Sequence, residues 1–269
     1  MNFQTATVDS ISEALLDVRS RTLALVEGLN DEELMGKILP TVNPLRWEIA
    51  HAAYFHETWV LRHLGAQAAL DENSDELFDS ITIQHKDRWH LPLPEMASIF
   101  EYMSNVLEQE LLLLRKVELD NYAKYFFLLA LFHEDMHNEA FICTRQTLAY
   151  SKPSFIKNTK LTKAQNALVG NNYEDINIPG GNFMLGAERT DEFIFDNEKW
   201  AHSVKVAPFK IAKYAVSNEQ YLEFVDANGY LEKKYWHSDA WKWRSDNNLQ
   251  QPIYWKKDSP GKWYVREFD

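Results

Sequence analysis

The chain has 269 residues, 45% hydrophobic and 13% aromatic, which suffices for packed cores and excludes wholesale disorder. Its net charge of −12 resides in residues 1–150, with 24 acidic against 11 basic residues, whereas residues 151–269 balance at 16 against 17. That split suggests two domains, neither a phosphate-backbone binder, and a single cysteine, with no signal peptide and no apolar run of membrane-spanning length, reads as a cytoplasmic protein without an internal disulfide.

The first half reads as helices. From Asp9 to Leu29, Ile11, Leu15, Val18, Thr22, Leu25 and Val26 form one stripe, with Asp9 or Ser10 as N-cap and Gly28 near the end. Asn43-Pro44 opens a second helix through Trp47, His51, Phe55 and Trp59 to about Leu64, closed by Gly65. A third runs from Glu95 to Val117, with Ile99, Met103, Val106, Glu110 and Leu113/Leu114 at helical spacing, and a fourth from Asn121 to Tyr150. Four amphipathic helices with one long connection, residues 65–93, predict a four-helix bundle over residues 1–150.

Residues 151–175 turn polar and read as a linker, and residues 176–269 as an α+β domain rich in loops. Short β-prone runs, Ile176–Ile178, Asn182–Leu185 and Ser203–Ile211, alternate with Gly, Pro and Asn turns. One helix starts at a Ser217 cap and closes at Gly229. Trp236, Trp241, Trp243, Trp255 and Trp263 crowd the end and read as core.

Seven of nine histidines lie in the acidic half, and His133-Glu134-Asp135-Met136-His137 is its strongest signal. Imidazoles at i and i+4 share a helix face and can ligate one transition metal, often in a bundle core with ligands from facing helices. His51, on the Trp47–His51–Phe55–Trp59 stripe, points inward, where an imidazole without a partner is costly. Three neutral nitrogen ligands leave open positions, which describes a catalytic metal; spacing does not choose among zinc, iron, copper and nickel. If so, the nearest ring nitrogens should lie within about 4 Å of each other.

The pentapeptide also fits the zinc-protease pattern with Glu134 as base, but Asn138-Glu139-Ala140-Phe141 lacks the extended form's Gly and His, and His51 would be unemployed. His56, rotated about 140° from His51, reads as a surface or rim histidine. Glu139 cannot share His137's direction, so it and Glu134 read as carboxylates behind the ligands. His85, Arg88 and Trp89 on the long connection resemble a carboxylate-binding patch, with an ordinary salt-bridged loop as the even alternative. Cys143 reads as a small buried apolar residue.

These residues, together with Arg46-Trp47-Glu48-Ile49-Ala50-His51, Phe55-His56-Glu57-Thr58-Trp59 and His133-x-x-x-His137-x-Glu139, resemble the non-haem iron sulfoxide synthases of ergothioneine biosynthesis and their selenoneine-forming relatives. The first half resembles their DinB-like helical bundle. The second resembles the formylglycine-generating-enzyme fold, a C-type-lectin-like domain, through Ile178-Pro179-Gly180-Gly181-Asn182-Phe183, Leu185-Gly186, Phe195-Asp196-Asn197-Glu198, Pro208-Phe209 and Val216-Ser217-Asn218-Glu219-Gln220-Tyr221.

The resemblance implies Fe(2+) held by His51, His133 and His137, with zinc as the alternative. It implies O2 and a thiol or selenol at the open positions, and a C–S or C–Se bond to the imidazole of Nα-trimethylhistidine. Arg88 matches the arginine that holds the thiol's carboxylate, and Arg88-Trp89-His90-Leu91-Pro92-Leu93-Pro94 looks closest to the selenoneine branch. Met136 stands where the family often carries a Gln that seats the betaine. The family's catalytic tyrosine is expected beyond Asp269, with the pocket between the domains, near residues 195–198, open there for self-association or a partner chain. The alternatives are a metal-binding module without oxygenase activity and a zinc-dependent thiol transferase or hydrolase.

Overall fold

Thr7, rather than Asp9 or Ser10, caps the first helix, α1 (Val8–Val26): its hydroxyl accepts from the Ser10 N–H at 3.2 Å in a reciprocal capping box. This computed structural model describes residues 3–156, 174–189 and 193–269, so most of the expected linker lies outside the described residues. The chain divides into a unit of Met1–Ile156 with Ala187–Lys199 and Phe268–Asp269, and a unit of Lys157–Gly186 with Trp200–Glu267.

The first unit is helical. After α1 comes a short α2 (Asp31–Met35), which hydrophobic periodicity could not reveal in five residues. Helix α3 (Leu45–His56) continues as a π-helical stretch, Glu57–Leu64, where a single α-helix was expected. A Cβ on Gly65 would meet the Leu61 carbonyl oxygen at 2.7 Å, so only glycine fits where the stretch ends. The long connection contains α4 (Ser74–Phe78), followed by α5 (Met96–Leu114) and α6 (Asn121–Leu148).

Helix α1 packs on α5 and α6, and α3 on the same two. Two adjoining apolar clusters fill the space, one around Leu15, Val60, Leu114 and Phe127, the other around Trp47, Ile49, Met103 and Phe141. Helix α4 is fastened to the α3 face, because Trp47 Nε1 donates to the Leu77 carbonyl at 2.8 Å and the Tyr54 hydroxyl to Asp75 at 2.9 Å. The segment 187–199 also belongs to this unit: Phe193 stacks on Tyr125 with ring centres 5.3 Å apart and meets Phe132 edge-on at 4.9 Å. Cys143 is exposed, contrary to the sequence reading, since that position lies off the apolar face of α6.

Among the described residues of the second unit, three antiparallel pairs form separate two-stranded sheets. Strand β1 (Asp175–Ile178) pairs with β4 (Phe209–Ala212), β2 (Gly181–Leu185) with β3 (His202–Val206), and β5 (Trp255–Lys257) with β6 (Trp263–Val265). The expected run Ser203–Ile211 is thus two strands serving different sheets, broken beside Pro208, whose nitrogen cannot donate to a ladder. Helix α7 (Asn218–Asp226) has the foreseen Ser217 cap, and α8 (Ser238–Asp246) was not foreseen. Val225, Tyr230 and Trp255 form the buried cluster, with Trp236 and Trp263 packed against it; Trp243 is exposed rather than core. Among the described residues, no helix is long and apolar enough to cross a membrane.

Candidate metal centre

Helix α3 carries Trp47, Glu48 and His51 on its buried side, and α6 carries His133 and His137 one turn apart. The structure brings the three histidines together: one ligand atom from each lies within 4.8 Å of the others. That is slightly wider than expected; metal–nitrogen bonds of about 2.1 Å put ligand atoms about 3.0–3.4 Å apart, a closure within reach of side-chain torsions.

The ring orientations are set from behind. His51 Nδ1 lies 2.7 Å from the Phe78 carbonyl oxygen. A carbonyl only accepts, so Nδ1 carries the proton and Nε2 keeps its lone pair. His137 Nδ1 donates likewise to Glu48 Oε1 at 2.8 Å. His133 lies face to face on Phe55, ring centres 3.6 Å apart, and its buried Nδ1 has no hydrogen-bond partner among the described residues. Burial and then the charge of His137 hold His51 down at about 3, and the same two causes push His133 well below the usual imidazole range. Neutral imidazoles with free lone pairs are what a transition metal requires, so this donor set fits one.

A cavity of about 480 Å³ opens beside His133, walled by Phe55, Trp59, Tyr125 and Phe126, with Met136, Asp196 and Asn197 also lining it. A second, of about 430 Å³, lies on the other side of Met136, among Phe132, Phe195, Glu139 and Glu198. Met136 is half-exposed between the two. Both belong to the helical unit, as do Phe195–Glu198.

The other expected site residues fare differently. Arg88 is half-buried: its guanidinium lies 4.0 Å above the Trp47 ring, which itself stacks on His51 at 4.8 Å, and it donates to Asn43 Oδ1 at 2.8 Å. His85 and Trp89 do not join it as a patch. Each spends a ring nitrogen on a backbone carbonyl, His85 on Val42 at 2.7 Å and Trp89 on Met35 at 2.9 Å, so they fasten the loop. Glu139 is exposed and makes no hydrogen bond among the described residues; the carboxylate that meets one of the three histidines is Glu48.

Glu134 faces away from the histidines into a buried polar knot. It takes two bonds from Arg19, at 2.9 and 3.1 Å, and one from the Thr22 hydroxyl at 2.6 Å. His56, expected at the surface, is sealed here. Its Nδ1 meets Glu110 Oε2 at 2.8 Å, and its Nε2 lies 3.0 Å from Glu134 Oε2, an ion-pair contact off the hydrogen-bond direction. The knot joins α1, α3, α5 and α6. Its sequence signal was present: Arg19 adjoins the Val18–Thr22 stripe, and Glu110 sits among the apolar residues of α5. Glu48 was legible too, as a carboxylate one turn before His51 on a buried stripe.

Two family models match the chain: the DinB superfamily over residues 14–140 and the sulfatase-modifying factor enzyme 1-like domain over residues 160–263. The chain is similar to hercynine oxygenase of Mycolicibacterium thermoresistibile, at 30% identity over 253 residues, 92% of this chain and 55% of that protein. Hercynine oxygenase of Mycobacterium tuberculosis is 29% identical over 245 residues, 90% of this chain and 56% of its own length. Formylglycine-generating enzyme of Thermomonospora curvata is 48% identical over 54 residues, 20% of this chain and 18% of its own. The chain spans about half the length of the hercynine oxygenases it matches.

Proposed function

Because the chain belongs to the ergothioneine-type sulfoxide synthase family, with a DinB-superfamily part and a sulfatase-modifying-factor-like part, we propose that it serves the iron(II)- and O2-dependent joining of a thiol or selenol to the imidazole of Nα-trimethylhistidine. The observation that carries the reading is the convergence of His51, His133 and His137 in a member of this family. In fold, the reading is a DinB-type four-helix bundle and a C-type-lectin-like second domain.

When bound, iron(II) would supply the redox chemistry that couples dioxygen to carbon–sulfur or carbon–selenium bond formation. The chain's own residues hold and orient. The three histidines offer ring nitrogens that converge on one point, and the cavity beside His133 has room for an imidazole betaine against its aromatic walls. Met136 on that wall offers an apolar contact and no hydrogen bond, so the ring faces, with Asp196 and Asn197 as the polar groups of the lining, would grip the substrate there. Arg88 would meet the carboxylate of the thiol or selenol: among the described residues its Nη2 has only the Ile83 carbonyl at 3.5 Å and its Nε has no partner.

The test is anaerobic purification, reconstitution with Fe(II), and O2 uptake with Nα-trimethylhistidine plus a thiol or a selenol, products identified by mass spectrometry. The expected result is one iron per chain and betaine-dependent uptake, both lost in His133→Ala. Iron binding without betaine-dependent uptake would reduce the protein to a metal-binding module. Exclusive zinc retention with thiol transfer would make it a zinc enzyme.

A further inference from the structure

Glu48 is 1% exposed, one turn before His51 on α3. One carboxylate oxygen accepts from His137; the other, Oε2, is buried with no hydrogen-bond partner among the described residues. Among the described residues no lysine or arginine lies within ion-pair distance of it; the Arg88 guanidinium lies over the Trp47 ring instead. The contrast with Glu134 is direct, since that carboxylate, equally buried, has an arginine, a hydroxyl and a histidine. A buried carboxylate with one oxygen unpartnered is expensive unless something else in the site compensates it.

That compensation has a place. His137 stands between Glu48 and the point where the three histidines converge, its Nδ1 toward the carboxylate and its Nε2 left with the lone pair. We propose that Glu48 is a positioning residue of this centre: it fixes the His137 ring, its negative charge strengthens that imidazole as a donor, and it thereby sets metal affinity. The inference rests on the reading of the three histidines as metal ligands. The two halves of Glu48's role separate by substitution: glutamine keeps an acceptor for Nδ1–H and removes the charge, and alanine removes both.

The experiment titrates the full chain, stripped of metal, with Co2+, following the visible d–d absorption and the dissociation constant. The proteins are wild type, Glu48→Gln, Glu48→Ala, His137→Ala and Glu139→Gln, the last an exposed carboxylate on α6. Circular dichroism melts establish that each is folded. The expected result is about tenfold to hundredfold weaker binding for Glu48→Ala. Glu48→Gln should lose less affinity and shift the d–d bands, which a merely structural carboxylate would not do, and Glu139→Gln should match wild type. If Glu48→Ala does not fold, Glu48→Gln decides alone. Wild-type affinity and spectrum in folded Glu48→Gln, with binding lost in His137→Ala, would overturn the role of Glu48 and leave the metal centre standing. No Co2+ binding by wild type, or undiminished binding by His137→Ala, would overturn the metal reading and this inference with it.

Discussion

In the helical unit Trp47, Phe127 and Phe141 are sealed from solvent; in the second unit the buried apolar cluster is Val225, Tyr230 and Trp255, and every residue of β2 and β4 is exposed. The difference follows from architecture. Long amphipathic helices bury a stripe each against neighbours on two sides, whereas a two-stranded sheet alone covers neither of its faces and is marginal in water. The three histidines lie in the helical unit alone. Their backbones sit on α3 and α6, which the Arg19–Glu134–His56–Glu110 knot ties to α1 and α5 from the opposite side of α6.

The comparison is broken most forcefully at the three histidines. His133→Ala removes one of three donors, and the expected loss of metal affinity is at least about 100-fold, read by titration with Co2+ or Fe2+. The fold should survive, because that imidazole rests on Phe55 and ties no helices together by hydrogen bonds. A melting temperature lowered by more than about 8 °C would instead mark His133 as structural.

The knot comes next. His56→Ala leaves Glu110 without its counter-charge in a sealed site, and breaking a buried pair in this way costs about 3–5 kcal/mol. A urea midpoint unchanged from wild type would show that the knot is not what joins the helices.

Much of this unit was legible in the sequence because apolar periodicity over 19 to 28 residues leaves little ambiguity, and the same stripes that located the helices placed His51 inward beside the His133–His137 face. What escaped was set by tertiary contact. His56 looked peripheral because its partner lies 54 residues away on α5, and the π-helical turn that follows it answers to packing against α5 and α6 rather than to any local motif. Glu139 was read as a carboxylate behind the ligands because it lies close to His137 in sequence, yet a carboxylate 89 residues away, Glu48, reaches the ring across the helix interface. In the second unit the strands were legible and their partners were not, since pairing β1 with β4 rather than with β2 is a choice among distant segments.

The pH dependence of stability should carry the mark of the knot. Burial opposes protonation of His56, but Glu110 and Glu134 outweigh it, holding the imidazole up at about 9 against an ordinary 6.5. A group raised in the folded state contributes fully below the unfolded value, and that contribution disappears as the pH rises through the folded one. The helical unit should thus lose stability between about pH 6.5 and pH 9, by about 3 kcal/mol at most. Urea midpoints at pH 6 and pH 10 measure it, and His56→Gln should flatten the profile. A wild-type profile already flat over that window would mean that His56 is neutral in the fold.

The smallest effect sharpens the comparison furthest. Phe127 and Phe183 are the same residue in the two units, the first fully buried on α6 and the second 57% exposed on β2. Truncating a sealed phenylalanine to alanine costs about 3–5 kcal/mol, through lost apolar burial and the cavity left behind. Phe183 has more than half its surface in water, so little transfer energy is lost and no enclosed cavity forms; the expected cost is within about 0.5 kcal/mol. Both follow from urea denaturation of the full chain at low concentration, with light scattering reporting the mass. If Phe183→Ala instead costs as much as Phe127→Ala, the exposed face of the β2–β3 hairpin is covered in solution. A cost that grows with protein concentration would identify the cover as a second copy of the chain, since only association makes stability depend on concentration.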